Sequence, residues 1–165
     1  MLREYDSIHN TRYGRSAHVN ITVRPATVGD EATIVGLIRE LAQVADDTSP
    51  VTIADGRAFL AREGNGGLVA EVDGAPVGAL TYSIHPGLYH GGSWGLIEEL
   101  IVTEAARGHG VGHALLEESV RVFRAAGCRE AGVQTDFDNE VAKHLYRVHG
   151  FVDESLMLER HFEQA

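Results

Sequence analysis

A chain of 165 residues with 44 % hydrophobic content can bury a core of ordinary size without staples and needs no second domain. Its formal charge of −10, from 24 acidic and 14 basic residues, argues against a surface built for nucleic acid or anionic membrane and leaves room for cationic partners. The single cysteine, Cys128, excludes a disulfide within the chain, and no apolar run is long enough for a signal-peptide core or a membrane span, so the expected compartment is the cytoplasm.

Residues 1–19 are polar, mixed in charge and without apolar period. They read as a disordered or peripheral extension, leaving 20–165 as one domain. An alternating strand is expected over 20–24, then a helix opened by Thr27 and Asp30, with Ile34, Leu37, Ile38, Leu41 and Val44 on one apolar face. Residues 46–50 end it, and 54–62 read as a second short helix. Two strands, 68–72 and 76–83, meet at Asp73-Gly74, a hairpin signal. An irregular stretch over 85–93 precedes a strand over 94–102. A long helix over 111–126, a strand over 130–135, a helix over 139–149 and a last strand over 151–161 complete the series. Cys128 falls between helix and strand, where a small buried hydrophobe is the ordinary role.

The segment Leu100-Ile101-Val102-Thr103-Glu104-Ala105-Ala106-Arg107-Gly108-His109-Gly110-Val111-Gly112 runs an apolar strand through three glycines into an amphipathic helix. Glycines remove Cβ atoms where backbone must approach a ligand, and the first N–H groups of a helix are unpaired donors at its positive end. The expected ligand is a phosphate-like anion. The lysine and Ser/Thr of a P-loop are missing, and the spacing G-x-G-x-G is not the G-x-G-x-x-G of a dinucleotide fold.

Arg107-Gly108-His109-Gly110-Val111-Gly112 instead resembles the Arg/Gln-x-x-Gly-x-Gly/Ala signature of the GNAT N-acetyltransferases. The likeness continues through Leu96 to Val102 upstream and through Asn139, Tyr146 and Gly150-Phe151 downstream. The resemblance implies an α/β (α+β) fold in which a mixed, mostly antiparallel central sheet of six to seven strands is flanked by about four helices and splays to admit a cofactor. It implies acetyl-coenzyme A as cosubstrate, no metal, and a pyrophosphate held by Arg107, Gly108, His109, Gly110, Val111 and Gly112. His109 and His113, four apart, have no third ligand nearby in sequence, so polar contacts near the phosphates are expected of them.

Acetyl transfer to an amine needs a base, a polarised carbonyl and a proton for the departing thiolate. Glu98 and Glu99, late in the strand, are the candidate bases, and strict alternation would send them to opposite faces. By spacing from Arg107, Glu98 matches the proposed base of polyamine acetyltransferases in the family. The resemblance assigns carbonyl polarisation to the backbone N–H groups of Ile101 and Val102. It makes Tyr146, seven residues after Asn139, the general acid, and Asn139 a contact to the pantetheine arm. Lys143, the only lysine, could meet a coenzyme phosphate or stand solvated. Tyr89, His90 and Trp94 are the candidate acceptor contacts. A small cationic amine is the expected acceptor, a peptide N-terminus or protein lysine the alternative, and a non-catalytic coenzyme A-thioester module the competing class. A homodimer is compatible with the family, but no stripe in the sequence specifies it.

Overall fold

The computed structural model describes residues 3–5, 20–44, 47–89, 91–160 and 162. One sheet has its strands in sequence order: β1 (Arg3–Tyr5), β2 (Ile21–Pro25), β3 (Asn65–Val72), β4 (Ala75–Gly87), β5 (Gly92–Val102) and β6 (Cys128–Val133). Neighbours pair antiparallel except β5 and β6, which are parallel. A parallel pair needs a crossover, and α3 (Val111–Ala125) supplies it. α1 (Glu31–Val44), α2 (Ile53–Leu60) and α4 (Glu140–Val148) complete the fold. The result is the expected mixed, mostly antiparallel sheet with four helices: five longer strands and a three-residue edge strand. Of residues 1–19, only that edge strand lies within the described residues.

Two cores sandwich the sheet. Leu68, Leu80 and Ile97 face α3, whose Val111, Leu115, Leu116 and Phe123 are buried against them. Val69, Ala79 and Ile101 face Ile34 and Leu37 of α1. α3 sits so close that a Cβ on Gly95 would stand 2.4 Å from Phe123 Cδ1. α1 is anchored at its start by Arg24, which holds Asp30 at 2.8 Å and Glu71 at 2.8 Å.

Three expectations change. Most of the irregular stretch over 85–93 is hairpin, because β4 and β5 go on pairing through His85–Trp94, Pro86–Ser93 and Gly87–Gly92. The pairing of β4 with β3 ends at Ser83, opposite Asn65, so Pro86 lies beyond that ladder and its missing N–H breaks no bond in it. The last expected strand does not form over 151–160, and residue 161 lies outside the described residues. Side chains hold that segment instead, with Arg147 on Glu154 at 2.5 Å and Gln134 on Glu159 at 3.0 Å. An alternating pattern becomes a strand only where another backbone accepts its hydrogen bonds. The third change lies at Glu98 and shapes the site.

Candidate active site

The β4–β5 register pairs Thr81 with Glu99 but Tyr82 with Ile97, so Glu98 is the extra residue of a β-bulge. A bulge resets alternation, and the two glutamates therefore do not lie on opposite faces. Both point to the α1 side: Ser83 Oγ donates to Glu98 Oε1, and Thr81 Oγ1 donates to Glu99 Oε2. Thr81 and Ser83 are each 2 % exposed, so both hydroxyls lie beneath the carboxylates. Glu98 is exposed, while burial, reinforced by the neighbouring Glu98 charge and opposed by Thr81, raises the pKa of Glu99. The outer carboxylate is the one open to an incoming ammonium. Ser83 Oγ also lies 2.7 Å from His85 Nε2, extending the polar row to a third β4 residue.

The opening between β5 and β6 begins just past this row. Their pairing ends at Ile97–Val133, leaving residues 98–102 of β5 without a strand neighbour on that side among the described residues. The Thr103 N–H is given to Val77 on the β4 side. Alternation along the backbone then turns the Ile101 N–H to β4 as well and directs the N–H groups of Leu100 and Val102 into the opening. Of the two expected donors, Val102 therefore faces the gap and Ile101 faces β4; Leu100 is the partner that sequence reasoning missed. Arg107 Nε donates to the Val102 carbonyl at 3.1 Å, tying the glycine loop back to the strand end.

Gly108 and Gly110 adopt φ of 76° and 90°, the left-handed region that favours glycine. Gly110 is the N-cap of α3, with no side chain bonded to the helix start and no acidic residue in the first turn. Among the described residues no side chain therefore neutralises the positive end of α3, and His109 beside it is exposed. The donor set fits a pyrophosphate. Val111 could contribute only its N–H, since its side chain is buried in the core. Gly112 has a packing role: a Cβ there would meet Leu145 Cδ2 at 3.2 Å, so the glycine admits α4. His113 Nδ1 lies 2.9 Å from His149 Nε2, and burial, with the His113 charge second, lowers the His149 pKa. Among the described residues no group of three or more metal-ligating side chains gathers.

On α4, Tyr146 is 8 % exposed and packs edge-on to Phe151, with ring centroids 6.2 Å apart. Burial raises its pKa, keeping the hydroxyl a proton donor at neutral pH. It belongs to the α3-side core, whereas Glu98 lies on the α1 side, and the β5–β6 opening joins the two faces. Asn139 and Lys143 carry local duties. Asn139 Oδ1 caps α4 by accepting from the Ala142 N–H at 3.0 Å, and Lys143 Nζ binds the Phe137 carbonyl at 2.7 Å and Glu140 at 2.5 Å. Burial holds the Cys128 thiol protonated.

Trp94 stacks obliquely on His85, with centroids 6.0 Å apart, and so continues the row from Glu98. Tyr89 lies further out, where it and Trp94 help line an apolar cavity of about 340 Å³ with Pro86 and Leu88. His90 lies outside the described residues. The missed side chains, Thr81, Ser83 and His85, left a signal: they occupy every second position of β4, a polar stripe opposite the Glu98-Glu99 pair.

The sequence profile of the acetyltransferase (GNAT) family matches residues 33–151, and the chain belongs to that family. No curated protein sequence matches it. Among solved structures, a Bacillus halodurans C-125 protein described as a transcriptional regulator is 28 % identical, with a TM-score of 0.74 over 86 % of this chain and 99 % of that one. The aminoglycoside acetyltransferase meta-AAC0020, from an uncultured soil metagenomic sample, is 20 % identical, with a TM-score of 0.75 over 88 % and 97 %. A ribosomal-protein-alanine N-acetyltransferase from Brucella melitensis biovar Abortus 2308 is 18 % identical, with a TM-score of 0.71 over 86 % and 99 %. The last two likenesses speak to the fold. No helix among the described residues is long and apolar enough to cross a membrane.

Proposed function

We propose that the protein transfers an acetyl group from acetyl-coenzyme A to a primary amine by direct attack in a ternary complex, with residues 20–165 acting as one domain. The observation that carries this reading is the convergence at one opening in the sheet: an exposed carboxylate, two outward N–H groups and an uncapped glycine start of α3 all border the end of β5. Acetyl-coenzyme A brings the activated acyl group and a thiolate that must leave. Glu98 takes a proton from the ammonium form of the acceptor. The N–H groups of Leu100 and Val102 offer donors to a carbonyl gaining negative charge. Tyr146 gives its hydroxyl proton to the leaving sulfur. The backbone of residues 108–111 and the guanidinium of Arg107 bind phosphate.

A small cationic amine is the favoured acceptor. The outer carboxylate attracts an ammonium, and the net charge of −10 raises the local concentration of cations. The test is a panel of amines, amino acids, aminoglycosides and peptides incubated with acetyl-coenzyme A, with free coenzyme A as the readout. Acetylation confined to peptide termini or lysines would move the acceptor class. Tight binding of acetyl-coenzyme A with no coenzyme A release from any amine would make the protein a binding module.

A further inference from the structure

We propose that Glu98, Ser83 and His85 form a proton relay, in which His85 is the positioning residue that delivers the acceptor's proton to solvent. The inference rests on the reading of Glu98 as the base. Ser83 Oγ is buried, yet it bonds two ionisable side chains at once, the Glu98 carboxylate and His85 Nε2 at 2.7 Å. One hydroxyl can donate one hydrogen and accept another, the requirement for handing a proton along. The alignment is built by the backbone: Ser83 and His85 share a face by alternation, and the bulge at Glu98 brings the carboxylate onto that face. Trp94 backs the imidazole.

Glu98 is exposed in the free protein, but an acceptor seated on it covers it. The accepted proton then needs a lateral exit. His85 lies two residues further along β4, about 7 Å towards the hairpin tip. The ammonium proton passes to Glu98, which no longer needs the serine hydrogen; the Ser83 hydroxyl then turns towards the Nδ1–H tautomer of His85, and the carboxylic acid gives its proton to Ser83 Oγ as the serine hydrogen moves to the free Nε2. His85 releases its Nδ1 hydrogen to water, and tautomer exchange with solvent restores the starting imidazole. One proton leaves, and no other bond changes. On the elements beside His85 the charged groups are Glu99 of β5, opposite Thr81, Glu130 of β6, the register partner of Trp94, Arg129, whose stem lies over Gly92, and Glu63, which precedes the Gly64 carbonyl that accepts the Ile84 N–H.

The experiment combines an NMR titration of the His85 ring with turnover on an amine accepted in the panel. Ser83→Ala and Glu98→Gln should each move the His85 midpoint, and the double variant should move it no further than the larger single change. His85→Ala should lower kcat near neutral pH by roughly ten- to a hundredfold with the acetyl-coenzyme A KM unchanged. Added imidazole should restore turnover saturably, and Ser83→Thr, which keeps the hydroxyl, should outperform Ser83→Ala. A His85 midpoint indifferent to both partners overturns the relay whatever the acceptor, and so does wild-type turnover in His85→Ala. If Glu98→Gln is slow while Ser83→Ala and His85→Ala match wild type, the base stands and only the relay fails. If Glu98→Gln keeps full turnover, the base assignment itself has failed.

Discussion

The two faces of the β4–β5 hairpin are made of the same two strands and end in opposite chemistry. On the α3 side, Leu80, Tyr82, Ile97 and Leu100 join one core, and Gly95 makes room for the ring of Phe123. On the α1 side, apolar packing stops at Ala79 and Ile101, and the row continues as Thr81, Ser83 and His85 against Glu98 and Glu99. A face packed by a helix excludes polar groups unless each finds a partner. Past the cover of α1, hydroxyls and carboxylates can pair with one another and still meet a ligand. The proposed base sits where the helical cover ends, and the packed face supplies the core beneath it.

Breaking the polar face at Glu98 should give the largest effect. Glu98→Gln should reduce kcat near neutral pH by about a hundredfold or more, with the gap narrowing at alkaline pH as the amine arrives already neutral. A pH profile of turnover at saturating acetyl-coenzyme A checks both parts. Tyr146→Phe tests the partner across the opening: the ring still packs on Phe151, so turnover should fall roughly ten- to a thousandfold while calorimetry finds acetyl-coenzyme A affinity unchanged.

Breaking the apolar face should cost stability and leave chemistry alone. Gly95→Ala places a methyl against the Phe123 ring, and displacing that ring should cost about 1–3 kcal/mol in urea unfolding, with turnover per folded molecule kept. The smallest effect sharpens the contrast between the two glutamates. Burial raises the folded-state pKa of Glu99, so its ionised form works against folding at neutral pH. Glu99→Gln should therefore raise Tm at pH 7. The gain should vanish below about pH 4, where the carboxyl is protonated in folded and unfolded states alike. A Tm gain from Glu98→Gln of the same size and pH dependence would erase the distinction between the outer and the covered carboxylate.

Local chemistry made much of this protein legible from its sequence. The glycine loop before α3, the Asp73-Gly74 turn and the apolar faces of the long helices depend on residues near one another in the chain, and motif, fold class and family could be read from them. The roles of individual side chains were decided by pairing between distant segments. A one-residue bulge, visible only once β5 is laid against β4, put Glu98 and Glu99 on one face, and the bond from the Thr103 N–H to Val77 fixed Leu100 and Val102 as the residues whose N–H groups face the opening. Gly112, read as part of the cradle, also has a packing reason to be glycine, because α4 returns to that turn of α3. The tail over 151–160 carried a strand pattern without becoming a strand, since a strand exists only through its neighbour. Sequence determines what each segment can form alone; register and packing decide which side chains meet, because those distances are set by hydrogen bonds between residues far apart in the chain.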